Sequence, residues 1–272
     1  MPPTWHAWAR SVSMRCLWGR PCSGLQTPGR RPRSCPGSPA WSVSMRETPL
    51  VKICGLRRRE DVVMADEQGA DFLGVVMTSG FSRSVEPRAA HALMDGVRAR
   101  PVAVLVDESA DEAERMAEAL GAHVIQLHGR EPPEVLESLA RRGHWSLWKG
   151  VRARTVDDVV GALDEYRGLA DGLLLEGWKE GVVGGGGVRL ELEPEPVHEH
   201  MSDAQYLILA GGLPPATVRA AVARFRPDVV DVSSGVESEV GEKDPELVHA
   251  FISAARSASS AAAHPSEQEA PP

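Results

Sequence analysis

Eight short apolar runs, each followed by a segment with helical character or a turn into one, leave this chain few folds to adopt. The runs are Leu50–Cys54, Asp71–Met77, Pro101–Val106, His123–Leu127, Trp145–Val151, Asp171–Leu175, Tyr206–Ala210 and Val229–Val232. Predominantly apolar runs of this length read as strands buried on both faces, which is the pattern of a parallel sheet covered by helices. Between them helices are expected from about Arg59 to Gln68, ended by Gly69, and after Pro87 with Ala90, Leu93, Met94 and Val97 on one face. Others are expected from about Ala110 to Leu120, closed by Gly121, after Pro132-Pro133, through Val156, Val159, Val160 and Leu163, and over roughly Pro245–Ala255. Eight such units between Thr48 and Arg256 predict an α/β fold, a single-domain (β/α)₈ TIM barrel. A doubly wound open sheet is the rival, and the absence of a Gly-x-Gly-x-x-Gly fingerprint after the first strand counts against it.

The sixth unit is irregular. Gly184-Gly185-Gly186-Gly187 is followed by an acidic, proline-broken stretch, which predicts a mobile loop and a short helix. His198-Glu199-His200 falls in this stretch at i, i+2 spacing, which does not put both rings on one helical face. The pair is expected to face solvent, and the sequence calls for neither metal nor cofactor.

Both ends differ from the body. Residues 1–46 carry seven arginines and no acid, with Pro, Ser, Trp and Cys abundant and no strand or helix period. Residues 1–47 therefore read as an extension outside the fold: disordered, an organelle-targeting segment, or residues upstream of a start at Met45. The barrel is assigned to residues 48–256, and the Ala-, Ser- and Pro-rich residues 257–272 to a disordered tail.

Composition then narrows the function. Setting the seven arginines aside, 23 basic residues face 38 acidic ones, a net charge of −15 on the remainder. Such a body offers no basic groove for a polynucleotide. It has no apolar run long enough to span a membrane. Cys54 is the one cysteine of the body, so no internal disulfide can form there, which suits a reducing cytoplasm.

In a barrel, chemistry gathers at the C-terminal ends of the strands. Reading those ends gives Cys54-Gly55, Met77 with Arg83 shortly after, Asp107, Gln126-Leu127-His128-Gly129, Lys149-Gly150, Glu176, Gly211-Gly212, and Asp231 through Gly235. The set combines a thiol, carboxylates and an arginine with two glycine-bearing turns after the seventh and eighth strands. That is where barrels commonly bind phosphate through backbone N–H groups. A small phosphorylated substrate is expected, held locally by amides and an arginine.

Six stretches carry a resemblance: Lys52-Ile53-Cys54-Gly55-Leu56, Gly69-Ala70-Asp71-Phe72-Leu73-Gly74, Ser82-Arg83-Ser84-Val85, Gln126-Leu127-His128-Gly129, Ala210-Gly211-Gly212-Leu213, and Asp231-Val232-Ser233-Ser234-Gly235-Val236-Glu237. Together they resemble phosphoribosylanthranilate isomerase of tryptophan biosynthesis, over about residues 50–253. The resemblance implies an Amadori rearrangement, in which N-(5-phosphoribosyl)anthranilate becomes 1-(o-carboxyphenylamino)-1-deoxyribulose 5-phosphate. It implies Cys54 as general base, Glu176 as general acid, and Arg83 as the partner of the anthranilate carboxylate. Gln126, His128 and Asp231 are implied to line the pocket, and Gly211, Gly212, Ser234 and Gly235 to hold phosphate. A monomer or a homodimer is consistent with such a barrel.

The departures from the family cluster in one place. Leu174-Leu175-Glu176 stands where the family has Leu-Leu-Asp, so the acid is one methylene longer. Gly186 replaces a usual threonine, Leu190-Glu191-Leu192 replaces a usual Phe-Asp-Trp, and Trp178-Lys179-Glu180 is inserted. Two other readings follow from these changes: a related isomerase acting on another aminoaldose phosphate, and a non-catalytic barrel that binds a phospholigand.

Overall fold

The computed structural model describes residues 48–177, 192–201 and 205–258. The N-terminal extension, the Gly184–Gly187 run and the tail beyond Ala258 lie outside them. Eight parallel strands pair in chain order and close into a ring. They are β1 (Leu50–Ile53), β2 (Phe72–Val76), β3 (Arg100–Leu105), β4 (Val124–Leu127), β5 (Ser146–Ala153), β6 (Gly172–Gly177), β7 (Tyr206–Leu209) and β8 (Val229–Val232). Closure is made by β1 on β8, with Leu50 opposite Val229 and Ile53 opposite Val232. The chain forms the expected barrel.

Strand period sorts the side chains. Along the first strand Leu50 and Cys54 join the cluster inside the barrel, whereas Val51 and Ile53 join the outer core under the helices. Phe72, Val102, Val124, Trp148, Leu174, Ile208 and Val229 fill the lower interior, with Trp148 edge-on to Phe72 at a centroid separation of 4.9 Å. Gly172 leaves room for that indole, since a Cβ there would stand 3.0 Å from Trp148 Cδ1. The floor of the barrel is therefore filled by side chains, below the open upper mouth.

A repeated carboxylate pins the bottom rim. Asp71, Asp171 and Asp228 each stand just before a strand and accept a backbone N–H from the preceding strand, from Val51, Leu147 and Leu207, at 2.8 to 2.9 Å. Each satisfies a strand-start donor that the ladder leaves open.

The outer helices are α1 (Arg59–Glu67), α2 (Pro87–Leu93), α3 (Ala110–Leu120), α4 (Pro133–Arg142), α5 (Val156–Glu165), α6 (Pro194–His200), α7 (Pro215–Phe225) and α8 (Pro245–Ser257). Their ends follow local chemistry. Ser109 caps α3 by accepting the Glu112 N–H, Gly121 ends it in the left-handed region, and Thr155 with Asp158 forms a capping box on α5. Proline opens α2, α4, α6, α7 and α8, where a missing N–H costs nothing.

Three expectations need correction. Helix α2 stops at Leu93, because Gly96 turns the chain at φ 71°, so Met94 and Val97 pack from the loop behind it. Helix α8 runs on through Ser257, which the sequence assigned to the tail. His198 and His200 are half-buried: His198 Nε2 lies 2.9 Å from the Phe225 carbonyl and His200 Nδ1 lies 2.8 Å from that of Pro196. Helix α6 has seven residues, short as expected.

Candidate active site

A cavity of about 340 Å³ opens at the C-terminal ends of the strands, a size suited to a small ligand. All the residues to which the resemblance gives a role line it: Cys54, Arg83, Gln126, His128, Glu176, Gly211, Gly212, Asp231, Ser234 and Gly235; Met77, Asp107 and Lys149-Gly150 do not. Strand period explains the convergence, since Cys54, His128, Glu176 and Asp231 all fall on inward positions.

On one wall stands Cys54, free and buried, with Lys52 two residues before it on the same face. Lys52 is fully buried and its Nζ donates to Asp231 Oδ1 at 2.8 Å. Burial works against its charge, but Asp231 and then Cys54 outweigh this and hold the ammonium above its ordinary value. Burial pushes the Cys54 thiol up; Lys52 pulls it down, Asp231 adds to the rise, and Lys243 again lowers it. Gly74 makes this crowding feasible, because a Cβ there would meet Cys54 Sγ at 2.9 Å and Lys52 Cε at 3.1 Å.

Glu176, near the end of β6, is 7% exposed and has two nitrogen-bearing neighbours. His128 Nε2 lies 3.2 Å from its Oε1, and Arg152 Nε lies 3.8 Å away. Gln126 Nε2 stands 3.0 Å from His128 Nδ1. With that amide donating to Nδ1, the ring proton sits on Nε2, pointing at the Glu176 carboxylate. The Gln126 side-chain oxygen is buried with no partner among the described residues, an acceptor that a donor on the ligand could meet.

The loop bearing His128 is clamped from beneath. Glu131, 2% exposed, accepts the N–H groups of Asp107 and Gly129 and pairs with Lys149 Nζ at 3.0 Å. Asp107, at φ 56°, in turn accepts the Arg130 N–H. A side chain on Gly129 would collide with Asp107.

Across the mouth, Gly211 and Gly212 adopt φ 79° and 59° before α7, and a turn of 3-10 helix at Ser234–Val236 follows β8. A Cβ on Gly235 would stand 3.3 Å from the Leu213 carbonyl, so the two turns touch. Left-handed glycines let the backbone approach a ligand without a side chain intervening.

Arg83 reaches the cavity from the loop after β2, over Gly55, where a Cβ would stand 2.6 Å from Arg83 Cδ. Its fork is occupied along one edge: Nε and Nη2 donate to Glu237 Oε1 and Oε2 at 2.8 and 2.6 Å. Lys243 Nζ also donates to Glu237 Oε1, at 2.7 Å. Glu237 and Lys243 sit opposite each other in a hairpin of β9 (Glu237–Glu239) and β10 (Glu242–Lys243). Sequence reasoning gave no role to Lys52, Glu237 or Lys243. Lys52 carried a usable signal, its i−2 spacing from Cys54; the hairpin pairing carried none. Among the described residues no group of three or more His, Cys, Asp or Glu could hold a metal ion.

Known proteins resemble this chain in sequence and fold. A family model described as N-(5'-phosphoribosyl)anthranilate (PRA) isomerase matches residues 51–254. A relative from Symbiobacterium thermophilum, named N-(5'-phosphoribosyl)anthranilate isomerase, is 39% identical, covering 76% of this chain and 97% of its own. The chain belongs to the phosphoribosylanthranilate isomerase family. The family's enzyme from Thermotoga maritima has a crystal structure that matches with a TM-score of 0.68 at 32% identity, covering 76% of this chain and 98% of that one. A further family structure, in complex with reduced 1-(o-carboxyphenylamino)-1-deoxyribulose 5-phosphate, matches with a TM-score of 0.65, also at 32% identity and with the same coverage.

Proposed function

We propose that the cavity is where this chain isomerises N-(5-phosphoribosyl)anthranilate in tryptophan biosynthesis, with Cys54 and Glu176 moving the protons. The observation that carries this reading is the convergence of a buried thiol, a carboxyl group and a paired glycine turn on one cavity in a chain of this family.

The steps follow from the chemistry. Glu176, carrying a proton, gives it to the ribose ring oxygen; the C1–O bond breaks as the anilino nitrogen lone pair forms the C1=N bond of a Schiff base. His128 Nε2–H, 3.2 Å from Glu176, is placed to stabilise the carboxylate that results. The Cys54 thiolate then takes the C2 proton, and the C2–H electron pair becomes the C1=C2 bond of an enolamine while the iminium nitrogen is neutralised. Protonation at C1 with loss of the C2 hydroxyl proton yields the aminoketose. A developing thiolate beside Lys52 is favoured by the ammonium, and Asp231 keeps that ammonium in place. Phosphate is held by backbone N–H groups around Gly211, Gly212, Ser234 and Gly235, and Arg83 meets the anthranilate carboxylate.

Glu176 keeps a second substrate in view. An acid one methylene longer than the family's displaces the proton by roughly an ångström, an error that can cost about a hundredfold. The fluorescence assay of phosphoribosylanthranilate turnover tests both. Cys54→Ala is expected to lower kcat by about two to four decades, the usual worth of a general base, with little change in product affinity. Glu176→Asp is expected to keep or raise kcat on phosphoribosylanthranilate; a fall with this variant, alongside a poor wild-type rate, would favour another aminoaldose phosphate. Full activity of Cys54→Ala would overturn the mechanism.

The free buried thiol supports a reducing, cytoplasmic setting. Monomeric and dimeric forms are named for the Thermotoga maritima family member, and either is open to this chain.

A further inference from the structure

The arginine expected to read the substrate carboxylate already holds a carboxylate of its own. Glu237 takes the Nε–Nη2 edge of Arg83 in a two-point grip, and its side chain is 5% exposed. A guanidinium has a second edge, formed by Nη1 and the other Nη2 proton, and there the nearest partner among the described residues is Ser82 Oγ at 3.5 Å. That edge is still wide enough for a bidentate carboxylate. Lys243, whose side chain is fully buried, balances Glu237 from the other side at 2.7 Å. One carboxylate between two cations leaves the cluster with a single net positive charge, the complement of one incoming carboxylate.

We propose that Glu237, anchored by Lys243, is a positioning residue that fixes Arg83 with its outer edge toward the cavity and so sets the preference for a carboxylate on the aryl ring. The proposal rests on the reading of Arg83 as the carboxylate-binding residue. Three features of the structure support it. Arg83 sits on a loop, at the end of a long side chain with rotamer freedom to lose, so an arginine held beforehand binds with less ordering cost. The loop itself is braced where it can be, with Ser84 Oγ donating to the Thr78 carbonyl at 2.6 Å and accepting the Phe81 N–H at 3.0 Å. The hairpin β9–β10 sets Glu237 opposite Lys243, and Lys243 N–H is tied to Asp61 at 3.2 Å, so the grip rests on the barrel wall and not on a free loop.

The test uses two ligands: reduced 1-(o-carboxyphenylamino)-1-deoxyribulose 5-phosphate and its counterpart lacking the ring carboxyl group. Binding of each is measured by calorimetry on the full chain and on Glu237→Gln, Glu237→Asp, Arg83→Met and the double variant Arg83→Met with Glu237→Gln. The expected result is a loss of about tenfold for the carboxylated ligand with Glu237→Gln and with Glu237→Asp, as for loss of one charge-assisted contact. Asp keeps the charge but withdraws its oxygens by a methylene, so its loss shows that placement is what counts. The ligand without the carboxyl group should bind all the Glu237 variants as it binds the parent, within about twofold, and the double variant should be no weaker than Arg83→Met alone. Equal weakening of both ligands by Glu237→Gln would assign Glu237 a merely structural role and overturn the proposal. Tighter binding of the carboxylated ligand by Glu237→Gln would make Glu237 a competitor for Arg83 and overturn it as well. If Arg83→Met discriminates between the ligands and the Glu237 variants do not, the proposal fails while the reading of Arg83 stands; if Arg83→Met does not discriminate, both fall.

Discussion

The thiol proposed as the base sits in a place that makes it a poor thiolate at rest. Burial raises Cys54, and the nearby Asp231 carboxylate raises it further, while Lys52 and Lys243 act the other way. The net direction is upward, so at neutral pH the free site holds mainly the thiol, and the base is strong once formed. A base must be deprotonated to act, so kcat/KM should rise with pH through the neutral range and into the alkaline range, tracking the Cys54 thiolate of the free enzyme. Lys52→Met removes the cation that lowers the thiol and leaves Asp231 buried without its ammonium. The limb is therefore expected to move to higher pH, with a lower rate at pH 7. The variant will also be less stable, since removing one partner of a buried pair commonly costs about 3–5 kcal/mol, so the profile is best recorded well below its melting temperature. A limb that stays in place in Lys52→Met would show that it reports a group other than Cys54.

At the scale of elements, what decides the site is how loops are held to one another after the strands end. The strands themselves were readable: their apolar runs lie within two residues of the observed bounds, and reading their C-terminal ends singled out Cys54, His128, Glu176 and Asp231. What the runs could not convey is contact between segments distant in sequence. Arg83 and Glu237 are 154 residues apart, and the clamp of Glu131 on Asp107 depends on two loops meeting, so neither has a local pattern to betray it. His198 of α6 was misjudged for the same reason, since the carbonyl that holds it belongs to Phe225 at the end of α7, whereas His200 turns back on the Pro196 carbonyl of its own helix. The glycine turns were legible because the left-handed backbone restricts the residue type. Gly212→Val tests the element they build. At φ 59° a β-branched residue is strongly disfavoured, and its side chain would occupy the approach to the backbone. KM is expected to rise by about tenfold or more, in keeping with loss of hydrogen bonds to a charged group, with a smaller effect on kcat. An unchanged KM would remove this turn from the phosphate site.

For the whole molecule, closure of the ring sets what is needed to fold. The last ladder joins β8 to β1 over four residue pairs, starting at Leu50 opposite Val229. Among the described residues the first strand of the barrel therefore begins at Leu50, with Asp71 securing the Val51 N–H and the Asp228 carbonyl accepting that of Leu50. At the other end α8 packs on α7 and against β1, covering the seam where the ring closes. Its Asp244 cap accepts the N–H groups of Glu246 and Leu247. Residues 1–44 contribute neither a strand run nor an amphipathic period that this seam could use. A chain starting at Met45 is therefore expected to keep its melting temperature within about 3 °C, a shift equivalent to roughly 1 kcal/mol for a domain of this size. Its kcat/KM should match that of the full chain. A fall in melting temperature of about 8 °C or more, which corresponds to more than 2 kcal/mol, would mean that the arginine-rich extension packs on the barrel and belongs to the fold.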